Sequence, residues 1–293
     1  MLHKVGLNTF YGQAFLSDVC ELDHDMLPYT ARCFEALIRT GTIREIRPSD
    51  VWYDDRTDFS EEAIGIGMPT HPNQGFQLLQ GAAKFSGEIL GGCMDTIYDY
   101  FNTDRFADSV ALCRRYGLFP AREDWNGKIL LLETSEEKPT PEKYRNILLA
   151  MKSTGIFDVI SGIVAGKPMD EQYAEAYKKI LVETIHNPDL PILWNVNVGH
   201  ATPRCIIPFG VPATVDADAQ VIPFRSQAYT NLCFCATIRA VRKGGWRECP
   251  TTKRKPRSSS PVRESRCSAR PSCSSPSSGM SRSRPRRAHG FPR

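Results

Sequence analysis

The 293-residue chain is long enough for one large or two ordinary domains, and its 41% hydrophobic and 24% charged residues suit a globular protein with a sizeable core. No apolar run approaches the roughly 20 residues of a bilayer span, and MLHKVGLNTFYGQAF lacks the apolar stretch of a secretory leader, so a cytoplasmic protein with no membrane partner is expected. The net charge of +4 conceals an asymmetry: residues from Arg242 onward carry 15 Lys+Arg and 2 Asp+Glu, leaving 22 basic and 31 acidic residues in the acidic body before them.

In chain order, MLPYTARCFEALIRTG (26–41) predicts a helix, with Met26, Tyr29, Cys33, Ala36 and Leu37 at helical spacing and Gly41 as its stop. Residues 44–75, rich in Asp, Pro and Gly, read as an irregular connection too long for one domain, which places a domain boundary near residue 75. GEILGGCMDTIYDYF (87–101) reads as a Gly-Gly turn and an amphipathic helix. GEILGG lacks the Lys-Ser/Thr ending of a phosphate-binding loop, which leaves close backbone packing as its reading.

GKILLLET (127–134) then predicts a buried strand. Thr140 and Pro141 cap and open a helix whose Tyr144, Ile147, Leu148 and Met151 share a face, ended by Gly155. FDVISGIVAG (157–166), MDEQYAEAYKKILVETIH (169–186) and LPILWNVNVG (190–199) continue as strand, helix and strand. Such alternation with short links implies an α/β fold with parallel strands. Residues 225–293, a Ser/Arg/Pro-rich basic tail, have too little apolar surface to offset ordering entropy and are expected to be disordered. A nucleic-acid-binding arm, an inconsequential solvated tail and a reading-frame product are its three readings, of which the last is preferred for the abrupt loss of pattern after about residue 224.

In parallel α/β units, functional groups gather beyond the carboxyl ends of strands. Glu133 ends the run Ile129–Leu132, and His200 follows the third strand by one glycine. A carboxylate beside an imidazole fixes its tautomer and stabilises the imidazolium as it takes a proton. Each residue alone also reads as an ordinary polar group at a strand end or in a loop. A metal site joining His200 to Cys205, Asp216 or Asp218 lacks ligand spacing, and the ten cysteines, without a CxxC pair, make no disulfide framework.

GEILGGCMDTIYDYF, GKILLLETSEE, GIVAG and VGHATPRCIIPFGVPATVDAD together resemble the C-terminal half of the LD-carboxypeptidases, a family of serine peptidases with a Ser-Glu-His triad that includes microcin C immunity proteins. The resemblance implies that 76–224 is the family's C-terminal domain and 1–75 a remnant of its N-terminal α/β domain. It places the triad glutamate on Glu133 and the triad histidine on His200. It further implies a homodimeric hydrolase of amide bonds in muropeptides or microcin-like peptides, with no cofactor. GLNTFYGQAFLSD (6–18) is similar to a segment that in the family follows the serine of a G-x-S-D turn by some twenty residues. No such turn occurs in this sequence, and Ser17-Asp18 lies downstream of that position. The expectation is therefore an N-terminally truncated enzyme with the serine nucleophile outside the chain; a non-catalytic fragment or binding module from a broken gene is the alternative.

Overall fold

The computed structural model describes residues 2–225, so the expected tail lies outside the described residues apart from Arg225. The strands are β1 (Thr9–Tyr11), β2 (Glu45–Ile46), β3 (Val51–Tyr53), β4 (Thr70–Pro72), β5 (Gln77–Gln80), β6 (Lys84–Cys93), β7 (Ile129–Glu133), β8 (Gly162–Gly166), β9 (Ile192–Val196), β10 (Ile207–Phe209), β11 (Pro212–Asp216) and β12 (Ile222–Pro223). The α-helices are α1 (Pro28–Thr40), α2 (Met94–Tyr98), α3 (Ser109–Tyr116), α4 (Pro141–Lys152) and α5 (Ala174–Ile185).

The fold is α/β, and its centre is a six-stranded, mostly parallel sheet in the order β11-β6-β7-β8-β9-β5. Strands β6 to β9 pair in parallel, while β11 and β5 run antiparallel along the two edges. All five residues of β7 are buried. Leu130 and Leu132 pack on one face with Ile147, Leu148 and Met151 of α4 and Tyr177 and Leu181 of α5. Ile129 and Leu131 pack on the other, with Ile89, Val164, Val196 and Val198. Burial on both faces is the physical reason this strand reads as a continuous apolar run rather than an alternating one.

Residues that precede the sheet in the chain pair with strands that follow β9, β1 with β10 and β2 with β12, in two separate antiparallel pairs. Helix α1 presents Tyr29, Cys33 and Leu37 to the same core, and Gly41 closes it in the left-handed region at φ 70°. Segment 44–75, expected to be irregular, contains β2, β3 and β4. The strand expected over 157–166 begins only at Gly162, and the helix expected over 169–186 only at Ala174, because Asp170, Glu171 and Tyr173 all hold positive φ.

GEILGG corrects the sequence reading most. It lies inside the ten-residue β6, and no turn interrupts it. Gly91 holds φ +143°, and a Cβ there would stand 2.1 Å from the Leu131 carbonyl oxygen. The glycine therefore allows β6 to lie against β7, a close approach that a side chain would block.

Helix α4 begins as its sequence predicts: Thr140 Oγ1 accepts a hydrogen bond from the Lys143 N–H at 3.2 Å, and Pro141 opens the first turn. Thr140→Ala leaves that N–H without its side-chain acceptor and should cost about 1 kcal/mol. A urea-denaturation midpoint unchanged by the substitution would show the cap to be idle.

Candidate active site

The sheet register brings the carboxyl ends of three parallel strands together. Cys93, the last residue of β6, pairs with Glu133, the last of β7. From β9 the chain continues through Val198 and Gly199 to His200. Gly199 has φ +92°, and a Cβ on it would fall 2.2 Å from Glu133 Oε2; on the other side, one on Gly166 would fall 2.9 Å from Glu133 Cβ. Two glycines thus leave the space into which the Glu133 side chain fits.

Glu133 is fully buried, and both carboxylate oxygens are engaged. Tyr11 Oη donates to Oε1 at 2.5 Å, and His200 Nδ1 stands 2.8 Å from Oε2. The structure therefore brings together the two residues singled out from the sequence, on the edge where they were expected. Sequence reasoning missed Tyr11. Its only signal was its place in the GLNTFYGQAF segment, 122 residues from its partner. Burial and the neighbouring Glu133 carboxylate push its phenol well above the usual range, so it stays a hydrogen-bond donor.

His200 is one-third exposed, and its second nitrogen also meets a carboxylate, Nε2 standing 3.0 Å from Glu136 Oε2. Each contact sets a carboxylate oxygen, an acceptor, against a ring nitrogen, and this pair of contacts favours the imidazolium, which donates from both. The Glu133 hydrogen bond accordingly raises the His200 pKa above 6.5, against an opposing push from burial.

The segments that follow Glu133 and His200 are themselves anchored. Buried Arg204 donates from Nη2 to the His200 carbonyl oxygen at 3.1 Å, and from Nη1 to Asp18 Oδ2 at 2.8 Å and Ser17 Oγ at 3.2 Å. Asp95, in the first turn of α2, accepts from Ser135 Oγ at 2.7 Å and pairs with Lys143 Nζ at 2.7 Å, which ties down the segment between Glu133 and Glu136. Burial opposes its ionisation, but the Lys143 and Ser135 hydrogen bonds outweigh it and lower its pKa. At the end of β8, buried Lys167 pairs with Glu171 and lies 5.0 Å from the centre of the Trp52 ring.

The metal grouping considered from the sequence is not assembled around His200. Cys205 is buried in the core, Asp216 on β11 pairs with Lys84, and Asp218 is exposed. Among the described residues, the histidine is grouped instead with Cys93 and Glu133, their ligand atoms within 4.8 Å of one another. Burial and the adjacent Glu133 push the Cys93 thiol up to about 11.

Because the imidazolium is favoured by its carboxylate partners, the pH dependence has a definite sign. The His200 contribution to stability is fully present below the unfolded histidine value of about 6.5 and is lost as pH rises through the higher folded value. A ring-proton NMR titration should give a His200 midpoint above about 6.5, and Glu133→Gln should bring it down. A midpoint at or below the free-histidine value would contradict the pairing.

A buried carboxylate holding a partly exposed imidazole, set at the carboxyl edge of a mostly parallel sheet, is an arrangement that can orient the ring and stabilise its protonated form. Residues 86–215 match the model of the LD-carboxypeptidase C-terminal domain. The chain belongs to the LD-carboxypeptidase family, in which the MccF proteins are among its relatives. An MccF-like protein of Streptococcus pneumoniae, solved in complex with AMP, is 59% identical, the match covering 77% of this chain and 65% of that one with a TM-score of 0.76. The microcin C7 self-immunity protein MccF of Escherichia coli is 24% identical over 233 residues, which are 76% of this chain and 61% of that protein. MccF solved with glutamyl sulfamoyl guanosine shares the fold at a TM-score of 0.60 and 23% identity, over 78% of this chain and 63% of that one. The chain therefore spans 61% of the length of the curated relative and 63% to 65% of the solved ones, under two thirds of each. Among the described residues, no helix is long and apolar enough to cross a membrane.

Proposed function

We propose that this chain carries the base and orienter of a serine-type LD-carboxypeptidase that hydrolyses an amide bond in a peptide substrate, with His200 as base and Glu133 as its orienter. The observation that carries the reading is the 2.8 Å contact between His200 Nδ1 and Glu133 Oε2. A buried carboxylate so placed keeps the proton of the neutral ring on Nδ1 and leaves Nε2 free to take one from a nucleophile. Glu136 must first leave Nε2, and its exposure allows it to swing away.

In this reading residues 76–224 are the family's C-terminal domain and 1–75 the end of its N-terminal domain. The serine hydroxyl comes from the part of the family's length that this chain does not span. Relatives solved with AMP and with a sulfamoyl nucleotide favour a peptidyl-nucleotide substrate over a muropeptide. The same family reading carries a cytoplasmic homodimer whose reaction uses neither metal nor organic cofactor.

Incubation with aminoacyl sulfamoyl adenosine and with an LD-tetrapeptide tests the proposal. The 293-residue chain alone should release no free amino acid from either, because base and orienter cannot form an acyl intermediate without the hydroxyl they activate. Fused behind the residues of the Streptococcus pneumoniae relative that precede its match to this chain, it should hydrolyse at least one of them. Turnover by the unfused chain would overturn the external nucleophile, and an inert but folded fusion would overturn the hydrolase reading.

A further inference from the structure

Cys93 has no part in the hydrolysis proposed above, yet it stands opposite Glu133 in the parallel register of β6 and β7. Its Sγ, a Glu133 oxygen and a His200 ring nitrogen all lie within 4.8 Å of one another. Thiolate, carboxylate and imidazole are the ligand types of Zn²⁺, bound at about 2.0–2.3 Å around a tetrahedral centre. Ligand atoms at those bond lengths are about 3.2–3.7 Å apart, so gathering the three needs shifts of about an ångström at most.

The surroundings suit an ion as well. Tyr11 holds Glu133 Oε1 at 2.5 Å and so leaves Oε2 facing His200 Nδ1. That is the outer hydrogen bond by which ligating carboxylates are oriented. His200 is 34% exposed, which gives the ion a way in and leaves its fourth position to water.

We propose that Cys93, Glu133 and His200 form a zinc-binding site that disables the base. Cys93 releases its thiol proton to solvent, and the imidazolium releases the proton on Nδ1. Sulfur, a carboxylate oxygen and Nδ1 then each donate a lone pair to Zn²⁺. The ring keeps its remaining proton on Nε2, where it can no longer accept one from a nucleophile. Zinc is thus an inhibitor of this site. Binding rests on the cluster alone, and only the inhibition rests on the hydrolase reading.

Cobalt(II) titration of the full chain under reducing conditions tests the site without any assay of activity. A thiolate-to-cobalt charge-transfer band should grow to saturation and disappear on addition of Zn²⁺. Cys93→Ser should remove that band, and Tyr11→Phe should weaken binding about 10–100-fold. No band in the unsubstituted chain, or an unchanged band in Cys93→Ser, overturns the proposal. Because the chain has nine other cysteines, and because a variant can fail to fold, a second measurement uses the unsubstituted protein. Peptide mass spectrometry after iodoacetamide treatment should show Cys93 labelled about tenfold more slowly at Zn²⁺ ten times its Kd. Equal labelling with and without Zn²⁺ overturns the site.

Discussion

Replacing His200 by alanine in the fused hydrolase should lower kcat about 10²–10⁴-fold, the contribution of a positioned general base, with little change in KM. The expectation follows from what the imidazole touches. Its Nδ1 is bound to a carboxylate with no exposure to water, and Nε2 meets the exposed Glu136 carboxylate. Alanine removes the proton acceptor and leaves the substrate-binding surface in place, so the loss falls on the chemical step. Glu133→Gln should act in the same direction, by up to about 10⁴-fold. A neutral amide donor opposite Nδ1 favours the tautomer with its proton on Nε2.

The two substitutions also separate on pH. Only the neutral ring can act as a base, and Glu133 raises the pKa of His200, so kcat/KM should rise with pH through a value above about 6.5. In Glu133→Gln that limb should move to lower pH. Activity surviving intact in His200→Ala would remove the base assignment, whatever the substrate.

Much of this arrangement was legible in the sequence, for identifiable reasons. Helix α4 announces itself through Thr140, Pro141 and the shared face of Tyr144, Ile147, Leu148 and Met151, because capping and burial act within a few residues of one another. Glu133 and His200 could be paired because the ends of parallel strands meet at one edge. What remained hidden depends on register and distant contact. Cys93 faces Glu133 only because β6 pairs in parallel with β7, and GEILGG looked like a turn because the strand against which its glycines pack is 40 residues away. Tyr11 and Arg204 reach the site from segments whose local pattern carries no sign of a polar role.

The same register gives the largest expected effect on folding. Gly91→Ala should destabilise the protein by about 2–6 kcal/mol, adding left-handed strain of about 1–3 kcal/mol to overpacking of about 1–3 kcal/mol. The added Cβ would stand 2.1 Å from the Leu131 carbonyl oxygen and 2.8 Å from its backbone nitrogen, and no rotamer change can relieve a clash between backbones. Relief requires β6 to move away from β7 at the centre of the sheet. Gly41→Ala is the matched control. Its φ of +70° carries comparable conformational strain, but nothing lies within 4 Å of the added carbon, so its cost should stay near 1–2 kcal/mol. Urea denaturation of the two variants separates backbone preference from steric conflict. Equal midpoints would mean that β6 can withdraw from β7 at little cost. Cys93, at the end of the same strand, would then withdraw from Glu133 in Gly91→Ala, and the cobalt band would weaken with it.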